Sequence, residues 1–152
     1  MSDDTLNAIN DKAAWTDETP LVLACRYNHR EIVEYLLGVP EIEVNARDKN
    51  GFASLGVAIK NGHTEVVKRL LNEVDVDVYG RHTCFEWTNC SLLHHAAESG
   101  HEEIVKLLIE KGVDPHAIDD NSWNALHEAV QSGHTDIVKY LTRHRGNIAR
   151  HN

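Results

Sequence analysis

The sequence predicts an all-α solenoid of stacked helix-turn-helix units with projecting hairpin loops. Three observations lead there: one motif recurs four times, each copy splits into two short helices, and each second helix carries an apolar stripe it cannot bury alone. The copies are TPLVLACRYNHREIVEYLL from Thr19, ASLGVAIKNGHTEVVKRLL from Ala53, SLLHHAAESGHEEIVKLLI from Ser91 and NALHEAVQSGHTDIVKYLT from Asn124. Their shared histidines, His29, His63, His101 and His134, stand 34, 38 and 33 residues apart, so insertions follow the first and second copies.

Each element has a local cause. The first helices open on Thr19, Ala53, Ser91 and Asn124, three of them good N-cap residues, and Pro20 takes the favoured first helical position. Ala53 cannot cap, and Ser54 offers a cap one residue later. Asn28, Gly62, Gly100 and Gly133 end these helices, being residues that tolerate the left-handed conformation. The second helices begin with Glu31, Glu65, Glu103 and Asp136, placed at the positive end of the helix dipole. Their stripes are Ile32, Val33, Leu36, Leu37; Val66, Val67, Leu70, Leu71; Ile104, Val105, Leu108, Ile109; and Ile137, Val138, Leu141, Thr142. Ala24, Ala58, Ala96 and Ala129 mark close helix approaches. Thr142, Arg143, Arg145 and Arg150 break the last stripe as the wetted face of a terminal cap would. NARDKNG (45–51) and HAIDDNS (116–122) have the turn residues of projecting hairpin loops.

Composition narrows the function classes. The chain has 152 residues, 41% apolar and 26% charged, an ordinary globular balance. Acidic residues outnumber basic ones 24 to 15, for a formal charge of −9. That disfavours nucleic acid and suits a partner with a basic face. The N-terminus lacks a secretory pattern and no apolar run would span a bilayer, so a membrane is not expected. Three cysteines, Cys25, Cys84 and Cys90, form no framework spacing, and reduced thiols in a cytoplasmic protein, with the nucleus also open to it, are the expectation.

On these motifs the chain resembles the ankyrin-repeat family. Thr19-Pro20-Leu21, Leu93-His94, Leu126-His127 and Asn45-Ala46-Arg47-Asp48 carry the family signature, over roughly Trp15 to Ile148. The departures are Gly56 at the motif-histidine position of repeat 2 and the long segment from Val76 to Asn89. The resemblance divides the chain into an N-terminal cap segment (1–18) and one repeat domain (19–150). Its repeats fall near 19–51, 52–89 with an insertion at 76–89, 90–122 and 123–150. It implies a non-catalytic protein-binding module, an adaptor, inhibitor or scaffold, monomeric by itself and without cofactor.

The variable positions of the family, carried over residue by residue, give the candidate partner-binding set. They are Trp15, Thr16, Glu18, Arg26 and Tyr27; Lys49, Asn50, Phe52, Lys60 and Asn61; Trp87, Thr88, Cys90, Glu98 and Ser99; and Asp120, Asn121, Trp123, Gln131 and Ser132. Stacked repeats would align Trp15, Phe52, Trp87 and Trp123 into a ladder along the concave face, and such aromatic anchors dominate interface energetics. Packing of these rings within the fold is the competing reading. The finger Tyr79 to Cys90 is a second recognition candidate, with a tolerated surface insertion as its alternative. The resemblance also marks Asn45 as a candidate for asparaginyl hydroxylation, with His116 at that position in repeat 3.

Other chemistry finds little support. His82, Cys84, Cys90 and His94 could form a metal- or redox-responsive cluster, but the spacing lacks the close cysteine pair of structural zinc sites. The resemblance gives His94 and His127 a hydrogen bond across the helix-opening turn instead. No nucleophile–base–acid arrangement or phosphate-binding loop is present, so catalysis is not expected. Cys25 reads as a buried, inert thiol.

Overall fold

A threonine oxygen and a proline start the first helix. The structure, a computed structural model, describes residues 8–84 and 87–143, with backbone alone for 83, 84, 87 and 88. Thr19 is extended and its side chain accepts a hydrogen bond from the Val22 amide at 3.3 Å, and Pro20 leads α1 (Pro20–Arg26). Asn28, left-handed at φ 58°, turns the chain into α2 (Arg30–Leu37). The second pair is α3 (Ser54–Lys60) and α4 (Thr64–Leu71). Here Ala53 occupies the N-cap without a side-chain bond, and Ser54 is the first helical residue rather than the substitute cap the sequence suggests.

The insertion forms a strand pair, β1 (Arg81–Cys84) and β2 (Trp87–Ser91), antiparallel, with Arg81 opposite Ser91 and an irregularity between His82 and Cys84. Ser91 ends β2 and caps α5 (Leu92–Ser99), followed by α6 (Glu102–Glu110), α7 (Ala125–Gln131) and α8 (Thr135–Arg143). Arg145 and Arg150 lie outside the described residues.

The chain forms two compact units, Met1–Asp77 and Val78–Asn152, and among the described residues each holds two helix pairs. In the first, α1 packs on α3 and α2 on α4, burying Leu21, Val22, Leu55, Ile59, Val66 and Leu70. In the second, α5 packs on α7 and α6 on α8, burying Leu93, Ala96, Leu108, Ala129 and Ile137. Each large aliphatic side chain so buried stabilises its unit by about 1.5–3 kcal/mol, and no single helix pair could bury its stripe alone.

Within each unit the histidine after the second turn ties its helix pair to the one before it. His63 Nε2 donates to the Arg26 carbonyl and His134 Nε2 to the Glu98 carbonyl, each at 2.8 Å. Gly100 is doubly required. Its φ of +81° is left-handed, and a Cβ there would meet the His134 ring at 2.6 Å.

The hairpin loops are organised by aspartates rather than by strand pairing. Asp48 donates its amide to the Phe52 carbonyl and its Oδ1 accepts from the Asn50 and Phe52 amides, all at 2.9 Å. Asp119 repeats this with Trp123 and Asn121. The N-terminal segment is held against the first loop: Asn10 Nδ2 donates to the Glu41 carbonyl, Asn10 Oδ1 accepts from the Glu43 amide, and Lys12 Nζ donates to the Arg47 carbonyl.

Candidate functional site

Arg26 closes α1 of the first unit. Its Nε donates to Glu18 Oε1 at 2.5 Å and its Nη2 reaches Asp48 Oδ2 at 3.4 Å. Both carboxylates are buried, and Asp48 is the residue that folds the hairpin tip. Glu18 and Arg26, expected as offered contact residues, are therefore occupied in bracing the loop. Phe52, expected in an exposed ladder, is only 6% exposed and packs with Val22 and Val57 beneath Lys60 Nζ, 5.3 Å from the ring centre. Its backbone is pulled inward by the two bonds to Asp48, so the ring belongs to the core.

What the first unit does offer is aromatic and cationic. Trp15 is 90% exposed, and Tyr27 is exposed with its ring 6.2 Å from that of His29. Lys49 and Asn50 stand exposed on the hairpin tip, and Lys60 and Asn61 at the end of α3, where Asn61 Nδ2 donates to the Val57 carbonyl. Asn45 is exposed, but its amide already bridges the next loop, donating to the Asp75 carbonyl at 2.6 Å and accepting from the Asp77 amide at 2.9 Å.

The second unit offers the opposite charge. Glu98 stands where Arg26 stands in the first copy, so the aspartate that Arg26 would brace, Asp119, has a buried Oδ2 with no hydrogen-bond partner. Glu128 is buried on α7, and burial together with repulsion from Glu98 and Asp119 pushes its carboxyl up to about 7. Asp120, Asn121 and Gln131 are exposed, and Trp123 is half-buried, stacked on His127 at 5.7 Å. The side chains of Trp87 and Thr88 lie outside the described residues. Glu128 and Asp119 are not among the positions the family resemblance marks. The signal was present, because Glu128 falls where the first two copies have Leu23 and Val57, an inward position that a carboxylate occupies only at a cost.

The proposed cluster of His82, Cys84, Cys90 and His94 does not assemble as a metal site. His94 has both ring nitrogens committed: Nδ1 accepts from the Ser91 amide at 3.2 Å and Nε2 donates to the Trp123 carbonyl at 2.8 Å. Burial holds its pKa below the usual histidine value, against the opposing pull of the Trp123 carbonyl. His127 makes the matching reciprocal cap with Asn124. Cys90 is disulfide-bonded, a correction to the reduced state expected for it. The side chain of Cys84 lies outside the described residues. Among the described residues, no group of three His, Cys, Asp or Glu side chains is placed to hold a metal. Cys25 is free and buried, and burial pushes its thiol up to about 12. No described helix is long and apolar enough to cross a membrane.

Paired helices tied by turn histidines, with aspartate-pinned loops between pairs, define a repeat protein of the helix-turn-helix solenoid class. Comparison with known proteins makes this specific: models of ankyrin repeats match residues 3–81 (three copies) and 93–142 (many copies). The chain belongs to the ankyrin-repeat family. It is 33% identical over 113 residues to an ankyrin repeat-containing protein of Schizosaccharomyces pombe, covering 70% of this chain and 43% of that protein. A second such protein of the same yeast is 34% identical over 100 residues, 66% of each chain. The human SMC5-SMC6 complex localization factor protein 1 is 34% identical over 96 residues, 62% of this chain and 9% of that protein. The chain thus spans less than half the length of the first and third of these relatives. Ankyrin repeats are in general protein–protein interaction modules.

Proposed function

We propose that this chain is a non-catalytic binding module, an adaptor, inhibitor or scaffold, that takes a protein partner on the ends of its first helices and its hairpin tips. The observation that carries the reading is the carboxylate group Glu98, Asp119 and Glu128 in the second unit. The first unit fills the matching place internally with Arg26, whereas here the buried Asp119 Oδ2 has no hydrogen-bond partner. A partner's basic side chain set against the accessible Glu98 offsets the charge of this group, which gives the basic-faced partner suggested by the net charge a definite contact. Trp15 and Tyr27 in the first unit, and Trp123 in the second, are the aromatic anchors of the same reading.

The experiment is affinity capture from a lysate with wild type beside Glu98→Lys/Asp120→Lys, both folded by circular dichroism. A partner held by wild type, weakened by salt and lost by the variant supports the proposal. A partner retained undiminished by the variant removes the carboxylates from the site.

A further inference from the structure

The helix-pair contact described within each unit follows one pattern. In the first unit the leading face of repeat 2 presents His63 to the Arg26 carbonyl, buries Val66 to 2% exposure, and sets Arg69 on Glu34 at 2.6 Å. In the second unit the leading face of repeat 4 presents His134 to the Glu98 carbonyl, buries Ile137, and sets the Tyr140 ring 5.3 Å from Lys106 Nζ. The leading face is thus a histidine, an aliphatic residue three positions on, and a long side chain three further. The trailing face that receives it offers a helix-end carbonyl, a small or apolar residue just before that carbonyl, and a charged residue on the second helix.

Among the described residues, repeat 1 carries the same leading face exposed. His29, Ile32 and Tyr35 occupy the three positions, and Ile32 is 50% and Tyr35 72% exposed. Ile32 borders an open groove of about 500 Å³ lined by Asn28, His29, Arg30 and Glu31, and the buried Asn28 Oδ1 has no hydrogen-bond partner. Repeat 4 carries the trailing face, likewise exposed among the described residues. Val130 is 60% exposed where its counterparts Cys25 and Ala97 are fully buried, the Gln131 carbonyl matches those of Arg26 and Glu98, and the exposed Lys139 matches Lys106. An exposed apolar patch marks an interaction site.

We propose that the occupant of the repeat 1 face is a second copy of this chain, docked through its repeat 4 face. In that junction His29 donates to the Gln131 carbonyl, Val130 and Ile32 are buried together, and Lys139 lies over the Tyr35 ring, reproducing the Lys106–Tyr140 pair. The faces are different surfaces, so the contact is heterologous. It replaces the monomer expected from the sequence, and it uses neither the carboxylate group nor the aromatic anchors of the proposed partner site.

The test is sedimentation velocity of the full chain from about 10 μM to about 1 mM, which reads dissociation constants across that range. The variants are Ile32→Glu/Tyr35→Glu and Val130→Glu/Lys139→Glu, whose sites are all on the surface. Wild type is expected to associate with rising concentration, and each variant alone to associate at least about tenfold more weakly. The two variants mixed should form one dimer and nothing larger, because each retains the face the other lacks. Hydrogen exchange of wild type at the two concentrations supplies a readout free of substitutions, with slowing confined to residues 29–37 and 130–143. A wild type that stays monomeric at the upper concentration overturns the proposal. So does loss of association in the first variant but not the second, which would mean the repeat 1 face takes its own twin, and so does a mixture that fails to dimerise.

Discussion

Substituting Glu128→Gln tests the electrostatics of the second unit. The carboxyl rises from 4.5 to about 7 because it is buried and faces Glu98 and Asp119. A raised folded pKa means that the native state holds a proton the unfolded chain releases, so stability from this group is full below pH 4.5 and is lost as pH rises through 7. At about 1.4 kcal/mol per unit the whole shift would be worth about 3 kcal/mol, which solvent near the carboxylate reduces to about 1–2 kcal/mol. Urea unfolding followed by circular dichroism at a series of pH values measures it. The variant should be more stable than wild type by about 1–2 kcal/mol at pH 8, and the gap should close toward pH 4.5. His94, held below its usual value, contributes in the opposite sense, losing stability as pH falls, and does so equally in both proteins. A gap that is absent at pH 8, or that does not shrink on acidification, refutes the reasoning.

Three further outcomes follow from the geometry. Gly133→Ala, at a left-handed position with open space, should cost about 1–2 kcal/mol, whereas Gly100→Ala, facing the His134 ring, should cost about 2–4 kcal/mol by thermal unfolding; equal costs would deny the close approach. Arg26→Met leaves Glu18 and Asp48 buried without their cation and should destabilise the first unit by about 2–4 kcal/mol, and a loss under 0.5 kcal/mol, typical of a free surface charge, would mean the triad braces nothing. The Cys25 thiol, pushed up to about 12, should resist alkylation in the native protein and react on unfolding, so rapid native labelling would contradict its burial.

The fold was legible because its determinants are local and repeated. Thr19, Pro20 and the turn histidines each act on neighbours close in sequence or one period away, and recurrence makes such signals additive. The site was legible as a set of positions but not as a set of exposures. Phe52 goes inward because Asp48 accepts both its amide and that of Asn50, and Glu18 is consumed by Arg26, contacts that spacing alone does not reveal. The carboxylate group escaped for the converse reason. Glu128 matters through Glu98 and Asp119, on different elements, and only the packing of α5 against α7 brings them into mutual range. The disulfide at Cys90 departs from the expected reduced thiols because that expectation rests on compartment, which carries no information about strand register; β2 places Cys90 opposite His82 in the hairpin.

The central claim, that this ankyrin-repeat chain binds a protein through aromatic anchors rather than by chemistry, is tested most directly by the affinity of one captured partner for three proteins. These are wild type, Trp15→Ala/Tyr27→Ala, and Trp123→Ala, each checked for an unchanged melting temperature. Both variants should lose about tenfold or more in affinity, the effect of truncating one or two interface anchors. Undiminished binding by both folded variants would contradict the account.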